Sequence, residues 1–169
     1  IERFSLDAEL APLLSGEARI FDMRIEQPRA RIRLLENGEL DWLRGSKPTL
    51  PARTVVLENL TVTGGAVEFI DQQTGRNRLI TDLDAKVSAR TLAGPWSIDG
   101  RAVLDGEAGH FTLNSTPPTA DSLPLRLRLE PDTRPVDINV DGALSLREGR
   151  PVYEGRFDAM VKAEMPEEQ

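Results

Sequence analysis

Most residues in this chain that can do chemistry are carboxylates: 28 Asp and Glu stand against 21 Lys and Arg, with one histidine and no cysteine. Cysteine nucleophiles, thiolate zinc sites and disulfide frameworks are therefore excluded, as is any cluster built on two imidazoles. No spacing of acids marks a pair for acid/base work. Because Asp and Glu are seldom buried, they are expected on solvated strand faces and in turns. Asp71 precedes Gln72-Gln73-Thr74-Gly75, which lacks the repeated oxygen ligands of a calcium loop, so a turn cap is its expected role. His110, between Gly109 and Phe111, alternates out of the apolar positions and is expected on an exposed strand face. Arg29, Arg31 and Arg33 form a basic stripe of the kind that meets anionic headgroups, but a solvated outer face that discourages edge aggregation is the expected use. Asn59-Leu60-Thr61 and Asn114-Ser115-Thr116 fit the short glycosylation pattern and are assigned no role. No glycine-rich loop leads into a helix, so there is no phosphate cradle. A net charge of -7 argues against nucleic acid as a partner. The chain is expected not to be an enzyme and to need no cofactor or metal.

With catalysis set aside, the elements themselves carry the information. The dominant period is two. Leu123, Leu125, Leu127 and Leu129 alternate with Pro124, Arg126 and Arg128, placing the leucines on one face of a strand and both arginines on the opposite, solvated face, where Arg128→Glu is expected to be near neutral. The pattern returns at Val136, Ile138, Val140, Gly142, Leu144 and Leu146, and again at Tyr153, Gly155, Phe157, Ala159 and Val161. Ala30, Ile32 and Leu34 lead into the turn Glu36-Asn37-Gly38-Glu39 and on to Leu40 and Trp42, which predicts a tight hairpin because Asn-Gly supplies positive φ.

Further strands are expected over Glu2 to Glu9, Glu17 to Glu26, Thr54 to Val62, Ala66 to Asp71, Leu79 to Ala89, Trp96 to Leu104 and Gly109 to Ser115, each bounded by turn residues. Val67 and Phe69, Ile98 and Leu104, and Phe111 and Leu113 are their inward positions. One short helical turn is expected at Leu10 to Leu14. Glycine recurs after an acid at Gly100, Gly142 and Gly155, where a strand bends or a bulky neighbour comes close. The organisation expected is a single all-β domain over residues 1–165, with joints at 45–53 and 116–122 and a polar tail at 166–169.

The inward residues Ile32, Leu34, Val67, Phe69, Ile98, Leu104, Phe111 and Leu113 are candidate walls of an apolar groove. Leu123, Leu125, Leu127, Leu129, Ile138, Val140, Leu144, Leu146, Tyr153 and Phe157 complete the candidate set. Such a face must be covered by a second sheet, closed into a barrel, or filled by a ligand. Three uses remain open on these residues: a groove that holds or conducts lipid, a closed β-sandwich binding module, and a structural or assembly factor that offers strand edges to folding outer-membrane proteins.

Several segments resemble the AsmA-like family of bacterial envelope proteins. Pro12-Leu13-Leu14-Ser15-Gly16, the stretch Glu17 to Arg33 and Glu36 to Trp42 are similar to that family's helical turn, its two strands with a proline before the second, and its glycine turn ending in an Asp-Trp or Asn-Trp pair. Val56 to Asp71 with Thr74-Gly75, Ile80 to Gly100 with Gly94-Pro95, and Glu148 to Phe157 resemble later segments. The resemblance implies an antiparallel β-meander curled into an open groove, and a periplasmic portion of a protein anchored to the bacterial inner membrane by a helix upstream of Ile1. It further implies that phospholipid or another acyl-chain lipid is held or conducted between inner and outer membranes, with envelope proteins as further partners.

Overall fold

The computed structural model describes residues 3–9, 18–41, 55–90, 94–117, 119, 122–148 and 150–162. Alternating apolar and polar side chains can bury only one face of an extended chain, and these residues form ten strands in one open sheet. The strands are β1 (Arg3–Glu9), β2 (Ala18–Glu26), β3 (Arg29–Leu34), β4 (Val55–Asp71), β5 (Arg76–Ala89), β6 (Trp96–Leu104), β7 (Glu107–Ser115), β8 (Ser122–Pro131), β9 (Val136–Arg147) and β10 (Arg150–Val161). From β4 to β10 each strand pairs antiparallel with the next, a plain meander. β1 and β10 end the strand order and do not pair with each other, so the sheet is unclosed.

The sheet is mostly antiparallel, as expected; the exceptions are β2 and β3, which both run parallel to β4. They lie end to end along one edge of this 17-residue strand. The break between them falls at Gln27, with φ of 50°, and Pro28, whose missing N–H cannot serve a ladder. Backbone bonds bridge the gap, from Gln27 N–H to Thr63 O and from Ala66 N–H to Pro28 O, both at 2.8 Å. The segments expected as two strands, Thr54 to Val62 and Ala66 to Asp71, are thus one strand with irregular register around Gly64 and Gly65.

The predicted hairpin after β3 is also corrected. Its turn forms, with Gly38 at a φ of 81°, but among the described residues it closes only a single antiparallel bridge, Leu34 to Leu40. β3 commits its ladder to β4 instead. The expected helical turn at Leu10 to Leu14, Trp42 and the joint at 45–53 lie outside the described residues. Asp71 caps its turn as expected: one carboxylate oxygen accepts from the N–H groups of Gln73 (2.9 Å) and Thr74 (3.2 Å), the other from the Thr74 hydroxyl (2.7 Å).

Burial differs from that of a closed domain. The described buried hydrophobic residues are Leu57, Ala66, Ala85 and Ala89, and no large described side chain is fully buried. A second sheet packed on the apolar face would seal large residues in its core, so the closed sandwich is set aside among the described residues. No described helix is long and apolar enough to cross a membrane.

Candidate functional site

Residues paired across a ladder share a face of the sheet, so the register shows where the apolar positions meet. One row runs Met23, Leu60, Val87, Ile98, Leu113, Leu127, Val140 and Phe157, crossing from β2 and β4 to β10 with an apolar side chain at every step. The row beside it runs Ile25, Val62, Ala85, Gly100, Phe111, Leu129, Ile138 and Ala159. At a strand spacing of about 4.8 Å, such a row measures about 34 Å along the sheet.

The face is concave. It encloses a cavity of about 660 Å³ lined by residues of β4 to β9 and of the β8–β9 connection, including Val62, Leu83, Val87, Ile98, Phe111 and Ile138. In a flat sheet β4 and β9 would stand about 24 Å apart, so a single cavity touching both requires the sheet to curl around it. Polar groups gather at one end, where Glu107 and Arg134 approach to 4.0 Å. Glu107 also accepts hydrogen bonds from the N–H (3.3 Å) and the hydroxyl of Thr133.

The opposite face is polar and largely self-neutralised. Arg126 pairs with Asp141 at 3.0 Å, and Arg128 with Glu130 at 2.7 Å and Asp137 at 2.9 Å. Lys162 reaches Asp137 at 2.7 Å. His110, expected on an exposed strand face, is instead half-buried, with its imidazole 3.0 Å from Asp99 and 3.8 Å from Glu130, and it is among the residues that line the cavity. Arg31 pairs with Glu68 at 2.6 Å and Arg33 with Asp41 at 3.7 Å, so most of the basic stripe is already neutralised. The expectation that Arg128→Glu is near neutral is corrected, since the change would set a third carboxylate beside Glu130 and Asp137.

These contacts hold several acids below the ordinary carboxylate range. Asp137 is lowered chiefly by its hydrogen bond from Lys162, then by that from Arg128, against an opposing effect of burial. Asp105 is lowered chiefly by the Arg78 guanidinium and Glu107 by the Thr133 hydroxyl. Acids depressed in the folded state stabilise it above the unfolded pKa, and that contribution fades as pH falls through the folded value. The melting temperature is therefore expected to hold steady above about pH 5 and to fall progressively below about pH 4, with a shallower acid fall in Asp137→Asn. Thermal melts across that range check it; equal acid slopes for parent and variant would contradict the role given to Asp137.

The candidate residues sort by position. Ile98, Leu104, Phe111, Leu127, Leu129 and Ile138 line the cavity. Leu113, Val140 and Phe157 lie in the apolar row beside it, and Leu125, Leu123, Leu144 and Tyr153 continue the same face toward the far ends of β8, β9 and β10. Leu146 stands opposite Pro151 in the ladder. Val67 is opposite Ile80, and Phe69 opposite Ile32, with Leu34 two residues further along; these four extend the face at the β3–β4 end, outside the cavity. Among the residues missed were those of β5 (Ile80, Leu83, Ala85, Val87) together with Val62, Ala102, Ala108 and Val136. Their signal was present, since Leu83, Ala85, Val87 and Ala89 alternate with Asp84, Lys86 and Ser88.

A two-faced sheet with one curled apolar side can hold an elongated apolar ligand. No family model, curated protein or solved structure matches the chain. The geometry therefore carries the functional argument.

Proposed function

We propose that this protein holds an acyl-chain lipid, a phospholipid above all, along its curled apolar face, and passes such chains along that face as part of transport between the bacterial inner and outer membranes. On this reading it is a periplasmic portion of an AsmA-like protein whose membrane anchor precedes Ile1. The observation that carries the proposal is the pair of apolar rows crossing eight strands above a cavity of about 660 Å³, with no large described side chain sealed beneath a second layer.

The energetics fit this use. Each CH₂ exposed to water costs about 0.8 kcal/mol, so extracting a long tail from a bilayer faces a barrier on the order of 10 kcal/mol. An apolar track replaces that burial while the headgroup stays in water, and no catalytic residue is needed. Pockets of about 300–1,000 Å³ are the usual size for small apolar ligands, and the cavity falls in that range.

Titration with a fluorescent fatty acid tests the proposal. Saturable binding that unlabelled phospholipid competes away is expected. A protein with unchanged circular dichroism and no saturable signal would contradict it.

A further inference from the structure

The titratable residues that line the cavity, Glu107, His110, Glu130 and Arg134, all lie toward one end of it. That end is formed by the β6–β7 turn and the β8–β9 connection, where Leu104 stands opposite Glu107 and the Asp132 N–H donates to Ala108 O at 2.9 Å. The other end is apolar. There Val87, Ile98 and Leu127 close the lining, and beyond them the same face of β5 and β6 runs on to Ala89 and Trp96. From Leu104 to Trp96 the strand is about 27 Å long, so an acyl tail lying along it meets a polar rim at one end and apolar side chains at the other.

Most charges at this rim are already matched. Glu107 accepts from the Thr133 N–H at 3.3 Å and from its hydroxyl, and Glu130 takes the Arg128 guanidinium at 2.7 Å. The neighbouring cations Arg78, Arg101 and Lys162 are held by Asp105, Asp132 and Asp137. Arg134 is different. Its ion pair among the described residues is made through Nε, 4.0 Å from Glu107, on a side chain 72% exposed. Its terminal nitrogens Nη1 and Nη2 therefore remain to donate, and a guanidinium offers them as a planar fork that matches the oxygens of a phosphate or carboxylate two at a time.

We propose that Arg134 receives the anionic head of the bound amphiphile, a phosphate or carboxylate, on this fork, with the tail lying along the strands from Leu104 toward Trp96. This inference rests on the lipid reading and adds to it a direction and a recognised charge. The head then stays in water at the rim, and the tail takes the apolar lining.

Calorimetric titration of the full chain with myristyl phosphate, myristyl alcohol and inorganic phosphate tests the charge. The parent is expected to bind the phosphate ester about tenfold more tightly than the alcohol, and inorganic phosphate far more weakly than the ester because it has no tail to bury. Arg134→Gln should lower the ester to the affinity of the alcohol and leave the alcohol unchanged. Arg134→Lys, which keeps the charge without the fork, should retain part of the preference. Circular dichroism checks that these exposed-site variants keep the fold. Direction is read by fluorescence in a Trp42→Phe background, where Trp96 is the one tryptophan left. Stearic acid carrying a nitroxide near its methyl end should quench it more than stearic acid labelled beside the carboxyl. A parent that binds neither amphiphile, or that binds inorganic phosphate as tightly as the ester, would overturn the lipid reading together with this inference. Ester and alcohol bound alike, both weakened equally by Arg134→Gln, or equal or reversed quenching would leave the lipid reading in place and overturn the head at Arg134.

Discussion

Leu127→Glu is expected to leave the protein folded while lowering its affinity for a fatty acid at least tenfold. Leu127 lines the cavity and stands between Leu113 and Val140 in the row that crosses the sheet, so a carboxylate there interrupts the apolar track at its middle. In a sealed core the buried charge would cost several kcal/mol and unfold a marginal domain. Here the side chain is only half-buried, and the carboxylate keeps part of its water. The stability lost is then that of a partly buried leucine, about 1–2 kcal/mol. Thr61→Glu is the control, since it adds the same charge to the polar face between Arg24 and Lys86 and should leave binding unchanged. Thermal melts and fatty-acid titrations on both variants decide the matter. Global unfolding of Leu127→Glu would contradict an open wall, and a folded variant that binds like the parent would remove β8 from the groove.

Gly142→Val is expected to destabilise the protein by about 3 kcal/mol or more, lowering its melting temperature by about 6–12 °C. Gly142 and Gly155 face each other across the β9–β10 ladder. A Cβ at Gly142 would stand 2.4 Å from Glu154 O, 2.6 Å from Gly155 Cα and 2.8 Å from the Tyr153 hydroxyl. Two of those atoms are backbone held in a paired strand and cannot yield cheaply. The Tyr153 hydroxyl also lies over Gly155, 2.4 Å from where its Cβ would be, so the side chain the glycines lack is replaced by an aromatic one lying on the same face. A melting temperature unchanged in Gly142→Val would contradict this close approach.

The sequence-to-structure correspondence follows the physics of each segment. Strands whose alternation was strict, such as β8 and β6, appear over almost the residues expected, because period-two burial is a local signal. The acid-glycine recurrence was legible as a place of bending or close approach, but not that Gly142 would face Gly155, since register across a ladder depends on both strands at once. Parallel pairing of β2 and β3 on β4 was not legible: the Asn-Gly turn after β3 promised a hairpin, and nothing local announces that a distant strand will take its ladder instead. The apolar face was read from β8, β9 and β10, while the β5 wall was passed over because alanine at 85 and 89 is a weak apolar signal. The ion pairs that tie Arg128 to Asp137 and Glu130 needed the fold, because Asp137 lies on the next strand.

The central claim is that the curled apolar face carries lipid, and native mass spectrometry of the purified chain tests it most directly. After incubation with phospholipid vesicles and gentle ionisation, the folded chain is expected to carry a mass increment of one or more phospholipids, reduced in Leu127→Glu and kept in Thr61→Glu. A chain that stays folded and shows no lipid increment under those conditions would contradict the account.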